Sequence, residues 1–282
     1  EINLAKVAVV DGGQDLVQAV EDVFAPFGGV GQVLAGRKRA FIKVNAIDCR
    51  PETYTSPAVL AAVLQVLGKY GDEDLYVMEN CTQGNFTRMV FAATDLGKVC
   101  RRNKAKIIYL DEQPVVEMEL PGLGENARFP RLLVEEFGGE EREAFYLNLP
   151  RLKAHSMSVV TLGTKNQLGL MDQQDRMKNH NFNLHARLAA IAQLFRPDFT
   201  LIDGLKAVFY GHYPPASVVD RCTENLNVLL GGPDMLAVDT VGAKILGYSV
   251  EEVPHLSLAR EQGWGCGRLE DIEVIGDLSR FT

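Results

Sequence analysis

The sequence predicts an α/β protein, with a mostly parallel sheet, helices on both faces, and two closely packed α/β lobes. Three observations carry this. Short runs rich in Val and Ile alternate with segments of helical spacing through the first half of the chain. Those runs show little polar alternation, as befits strands covered on both faces. The strand–helix–strand rhythm is the connection that parallel strands require.

The elements follow in order. Residues 7–11 read as a strand ending in Asp11-Gly12-Gly13, and Leu16, Val20, Val23 and Phe24 form one face of a helix. Residues 40–45 are a second strand. Ser56-Pro57 then opens a helix through Val59, Leu60, Val63, Leu64 and Leu67, with Ser56 as a cap, Pro57 in the first turn and a stop near Gly71. Residues 75–79 and 105–111 are strands on either side of one helix over 86–102. Residues 114–143 break the rhythm and read as an irregular insertion or antiparallel strands, with apolar runs at Val115-Val116 and Leu132-Leu133-Val134. They close a first lobe, 1–143. A second lobe, 144–282, has strands at 144–149, 200–203, 226–230 and 272–275, and helices at 159–170, 184–195 and 234–246. The polar stretch 171–183 reads as a loop that could act as a flap.

Composition narrows the function. The 282 residues are 46% hydrophobic and 23% charged, the balance of an ordinary globular chain. No run of about eighteen apolar residues is present, so no membrane partner is expected. The formal net charge of −8 argues against a nucleic-acid partner. The five cysteines are scattered and none forms a C-x-x-C pair, which argues against a disulfide framework and a ferredoxin-type cluster. With no signal peptide in view, a cytoplasmic location is expected.

The chemistry concentrates around Pro150-Arg151-Leu152-Lys153-Ala154-His155, followed by Thr161, Thr164, Lys165, Asn166 and Gly169. Lys153 and His155 should emerge near the carboxyl end of an apolar strand, where open α/β sheets bind ligands. Lys165 and Asn166 stand among Val159, Val160, Leu162, Leu168 and Leu170. A lysine held there has a lowered pKa unless an anion compensates. His155 is expected to move a proton. Lys43 and Asn45 share one face of the second strand, and a lysine between Ile42 and Val44 needs an anion or a crevice. Asp203-Gly204 ends a strand, so Asp203 is a site candidate beside its reading as a turn residue. Asp239, among Leu236, Ala237, Val238 and Val241, needs a partner, whereas Asp234 reads as an N-cap. His180 and His185 are weaker candidates for ligands.

These segments resemble a known family. They are Lys43-Val44-Asn45, Thr55-Ser56-Pro57, Leu149 to His155, Thr164-Lys165-Asn166-Gln167-Leu168-Gly169, Ile202-Asp203-Gly204, and Asp234 to Asp239 with Gly242 and Gly247. The ordered set is similar to the family catalogued as domain of unknown function 362. That family shows K-P-N in place of Lys43-Val44-Asn45 and T-H-P in place of Thr55-Ser56-Pro57. Many members carry appended ferredoxin-type clusters, for which this chain lacks the cysteine runs. More loosely, His155 followed by Lys165 resembles the segment of nickel-pincer lactate racemases that supplies a catalytic histidine and a cofactor-bearing lysine.

The expectation is therefore an enzyme acting on a small anionic molecule or a bound cofactor. His155 and Lys165 would be catalytic, with Lys43, Asn45, Lys153, Thr161, Asn166, Asp203 and Asp239 binding or orienting the anion. The alternative is a non-catalytic cofactor- or metal-binding protein associated with iron–sulfur chemistry. Neither cofactor, metal nor oligomeric state is fixed by the sequence.

Overall fold

The structure, a computed structural model, describes residues 4–70, 74–82, 84–139 and 142–282, without the side chains of 179–181. The strands among these are β1 (Ala5–Asp11), β2 (Arg39–Val44), β3 (Asp74–Glu79), β4 (Lys106–Tyr109), β5 (Val115–Leu120), β6 (Glu125–Pro130), β7 (Ala144–Leu149), β8 (Arg151–His155), β9 (Val159–Thr161), β10 (Phe199–Val208), β11 (Thr223–Gly232) and β12 (Ile272–Ile275). The helices are α1 (Leu16–Phe24), α2 (Gly29–Leu34), α3 (Pro57–Gly68), α4 (Thr87–Ala93), α5 (Leu96–Arg102), α6 (Arg131–Phe137), α7 (Gly163–Asn166), α8 (Gln173–Asn181), α9 (Leu184–Leu194), α10 (Met235–Ile245) and α11 (Pro254–Glu261).

One ten-stranded sheet runs in the order β12-β1-β11-β10-β7-β2-β3-β4, with β8 and β9 joined to it through β10. Its pairings are parallel except where β11 meets β1 and β10 and where β9 meets β8. Helices cover both faces. On one face Ala40, Ile42 and Val44 of β2 pack with Val20, Val23 and Phe24 of α1 and with α3. On the other, Phe41 packs with Phe137 and Tyr146. This alternation puts Lys43 on the Phe41 face. The sheet is continuous across residue 143: β7 lies beside β2, and β1 lies between β11 and β12.

Several local expectations are corrected. Residues 86–102 form two helices, α4 and α5, and not one. Residues 159–170 are not one helix but the short strand β9, the turn of helix α7 and a 3-10 turn over Gln167–Leu170. The expected polar flap is mostly the helix α8, whose cap Asp172 accepts from the Gln174 amide. Val115 begins a hairpin of β5 and β6, but Leu132-Leu133-Val134 lies in α6. Ser56 makes no capping bond with its side chain. The stop expected near Gly71 lies outside the described residues, and α3 itself ends at Gly68.

Two buried carboxylates fix the elements that carry the site. Asp203 of β10 accepts from the Ser56 amide at 2.7 Å, holding the start of α3, and from the Leu205 amide at 3.2 Å. Asp239 of α10 accepts from the amides of Gly163 and Thr164, each at 2.7 Å, and so anchors the first turn of α7. Burial pushes the Asp239 carboxyl up to about 7, against the downward pull of the Thr164 and Gly163 bonds.

Removing that anchor leaves two buried amides unsatisfied. Asp239→Ala is expected to lower stability by about 2–6 kcal/mol, read as a shift in the urea midpoint, because each orphaned amide costs roughly 1–3 kcal/mol. Asp277→Ala, which removes an exposed cap bond to Ser279, should cost about 1 kcal/mol or less. Equal losses for the two variants would refute the anchoring role.

Candidate functional site

The carboxyl ends of β2 and β3, the β8–β9 hairpin and the α7–α8 segment enclose a cavity of about 260 Å³. Its walls bring together Lys43, Asn45, Lys153, His155, Thr161, Lys165 and Asn166 of the expected residues. Asp203 and Asp239 do not line it; both are held by backbone amides. Glu79, Asn80, Arg176, His212 and Tyr213 also line the cavity.

Charge defines this cavity. Lys43, Lys153, Lys165 and Arg176 face it, while Glu79 is the sole carboxylate among its described lining residues. The four cations are buried, with exposures of 0% for Lys43, 1% for Lys153, 9% for Lys165 and 4% for Arg176. Lys43 Nζ lies 2.5 Å from Glu79 Oε1 and donates to the Val44 carbonyl at 2.7 Å. Glu79 also accepts from the amides of Ala46 and Asn80, at 2.6 and 2.8 Å. Arg176 reaches in from α8, donating to the carbonyls of Asn80, Cys81 and Met171.

An amide network supports the floor. Asn166 Nδ2 donates to Asn148 Oδ1 at 2.8 Å, and Asn148 Nδ2 donates to the Gly163 carbonyl at 3.0 Å. Asn45 Nδ2 donates to Asn166 Oδ1 at 3.2 Å. Three separate segments are thereby tied together at one point. Gly169 passes so close that a Cβ there would sit 2.7 Å from Glu79 Oε1 and 2.8 Å from Lys43 Nζ. Any side chain would push the ion pair apart.

Burial shifts the amines. Lys165 is pulled down to about 7, first by desolvation and then by the charges of Arg176 and Lys43. Lys153 is pulled well below its ordinary value by desolvation, with Arg151 and Lys165 adding to the effect. Lys43 is lowered too, although Glu79 opposes its desolvation.

His155 is oriented by its own hairpin. Its Nδ1 accepts from the amides of Met157 and Ser158, at 3.0 and 3.2 Å. These bonds assign the neutral ring its proton on Nε2. Its ring stacks on His212 with centroids 3.7 Å apart. His185 instead meets His255, with their Nδ1 atoms 3.3 Å apart, and neither lines the cavity. The side chain of His180 lies outside the described residues. Among the described residues, no three His, Cys, Asp or Glu side chains gather as a metal site.

Sequence reasoning missed Arg176, because α8 has no apolar stripe to announce it. It also passed over His212 and Tyr213, which sit in the loop after β10 and carry no local signal. Glu79 was visible as the polar end of a strand, but its pairing with Lys43 depends on the β2–β3 register.

The thylakoid-associated protein sll1697 of Synechocystis sp. is 23% identical to this chain over 261 residues, covering 88% of this chain and 75% of that protein. A family model with the description Domain of unknown function (DUF362) matches residues 41–244. That span opens within β2, closes within α10, and contains every side chain lining the cavity. The match takes in most of the chain and the whole of the candidate site, and the protein belongs to the domain of unknown function 362 family.

Proposed function

We propose that this protein is an enzyme acting on a small organic anion by lysine-assisted proton transfer, as in an isomerase or racemase. The observation that carries the reading is the excess of buried cations over carboxylates around one cavity. Unpaired buried charge is costly. A bound anion offsets that cost here, and the space suits a molecule smaller than a drug-sized ligand.

The roles follow from position. Arg176 offers fixed positive charge against a developing enolate or oxyanion, beside the Lys43–Glu79 ion pair. Lys165, titrating at about 7, exists in both forms near neutrality and can take or give a proton. His155, expected from its residue type to move a proton, is placed to act as a hydrogen-bond donor through Nε2. Asn45 and Asn166 orient the floor, and Asp203 and Asp239 hold the scaffold. A reducing compartment such as the cytoplasm suits the free cysteines Cys49, Cys81, Cys100, Cys222 and Cys266.

The test is exchange chemistry. Protein incubated with small carboxylates and 2-oxo acids in D2O should exchange an acidic C–H for deuterium in one compound class, followed by NMR. Lys165→Met should abolish exchange. Binding without exchange points to a carrier and removes the enzyme reading; no anion raising the melting temperature removes the site altogether.

Anion affinity should depend on pH with a defined sign. The folded Lys165 titrates at about 7, below its ordinary 10.5, so its charge is lost as pH rises through 7. The dissociation constant should then rise by up to tenfold per unit, and Lys165→Met should flatten the profile. Without ligand the sign reverses: the folded state holds fewer protons than the unfolded between about 7 and 10.5, so stability increases across that window.

Glu79→Gln separates binding from stability. Removing the lone carboxylate should strengthen anion binding, measured by calorimetry. It also leaves Lys43 buried and unpaired, which should destabilise the unliganded fold by about 3–5 kcal/mol in denaturant titration. Weaker anion binding by a folded Glu79→Gln variant would contradict the charge argument.

A further inference from the structure

We propose that Lys153 is a nucleophilic amine that forms an imine with the carbonyl carbon of a small anionic aldehyde or ketone, a 2-oxo acid being the simplest case. The proposal rests on the anion-site reading above and adds to it the substrate class and a covalent step.

The geometry begins with the β8–β9 hairpin. Lys153 pairs with Thr161 across it, so both side chains share one face. Both line the cavity. Lys153 Nζ and Thr161 Oγ1 are buried, and neither has a hydrogen-bond partner. These are two adjacent orphaned polar atoms aimed into one space. An ammonium carries three N–H donors, and leaving all of them unpaired in a buried site is its least favourable state. The surrounding charges make it worse: Arg151, Lys165 and Lys43 all act against a proton on Lys153. The charge of Glu79 opposes them in part, but its oxygens already meet Lys43, Ala46 and Asn80. Burial among these charges and the lack of a hydrogen-bond partner both favour the neutral amine, the form that carries a nucleophilic lone pair.

The same surroundings suit the electrophile. Arg176 and Lys165 can hold the carboxylate of a 2-oxo acid while its carbonyl faces Lys153. The amine lone pair attacks the carbonyl carbon, forming the C–N bond, and the C=O π electrons move to oxygen. Protons pass from nitrogen to that oxygen, for which the Thr161 hydroxyl is the adjacent relay. The carbinolamine then loses water as the nitrogen lone pair forms C=N. Amine plus carbonyl gives imine plus water, with no oxidant or reductant required. A protonated imine is an electron sink that acidifies the neighbouring C–H, which gives Lys165 a proton to move.

The experiment is reductive trapping. Wild-type protein is incubated at pH 7.5 with glyoxylate, pyruvate or 2-oxoglutarate and cyanoborohydride, and the adducts are mapped by mass spectrometry. Lys153 should be labelled more than tenfold faster than exposed lysines such as Lys69 and Lys98, because an ordinary lysine is only about 0.1% unprotonated at that pH. Excess malonate, an anion without a carbonyl to trap, should protect it. Lys153→Met should lose the adduct, and malonate should raise the melting temperature of the wild-type protein. Labelling at Lys165, or spread evenly over surface lysines, overturns the imine while malonate stabilisation leaves the anion site standing. Absence of both labelling and stabilisation overturns the anion site as well.

Discussion

The contact between Lys43 and Glu79 governs the geometry of everything around it. A lysine at the end of a central strand has no route to solvent, and here it is fully buried. The parallel register sets Lys43 opposite Met78, one residue before Glu79, so the carboxylate arrives from the neighbouring strand end. Glu79 then reaches two amides as well as the ammonium, which fixes its rotamer. The segment after α7 can cross above only because Gly169 has no side chain. With that segment seated, Asn166 meets Asn45 and Asn148, and Lys165 is committed to the cavity wall. The pair neutralises one cation and one anion. It thereby leaves Arg176 and the protonated form of Lys165 as the uncompensated charge.

Much of this architecture was legible from residue patterns. The helix over Leu16–Phe24 has the predicted bounds, since Asp15 supplies a cap and Val20, Val23 and Phe24 a buried stripe. Strands β2 and β3 were legible because continuous apolar runs bounded by polar residues have few other uses in a covered sheet. The failures have physical causes. Residues 159–170 break into short apolar pieces around Thr161, Thr164, Lys165, Asn166 and Gln167, and pieces that short do not distinguish a buried strand from a buried helix. Helix α8 is polar along its length, so periodicity is silent. Its stability comes from the Asp172 cap and from Arg128, which grips Asp175 through three hydrogen bonds. Those contacts join residues more than forty positions apart.

The candidate site divides along a similar line. Lys43 announced itself as a charge inside an apolar strand, and the cluster from Lys153 to Asn166 as polar residues among apolar ones. Asp203 and Asp239 were visible for the same reason, yet each meets backbone amides instead of the cavity. A buried carboxylate looks the same in sequence whether its partner is a ligand or an N–H at the start of a helix. Only the fold separates them. The orphaned atoms of Lys153 and Thr161 are equally invisible in sequence, because an absent partner is a property of the packed state.

The contrast between exterior and cavity bears on what such a site can select. The chain carries a formal net charge of −8, while the lining of this cavity is cationic. At physiological salt the screening length is about 8 Å, so exterior charge is largely hidden from an approaching anion. Inside, low local dielectric lengthens the reach of each ammonium and screening ions are excluded. On the proposed reading, attraction is then confined to molecules small enough to enter. The same burial that lowers the amines' affinity for protons raises their value to a ligand that supplies negative charge. Selection by size and by charge thus follows from one act of desolvation.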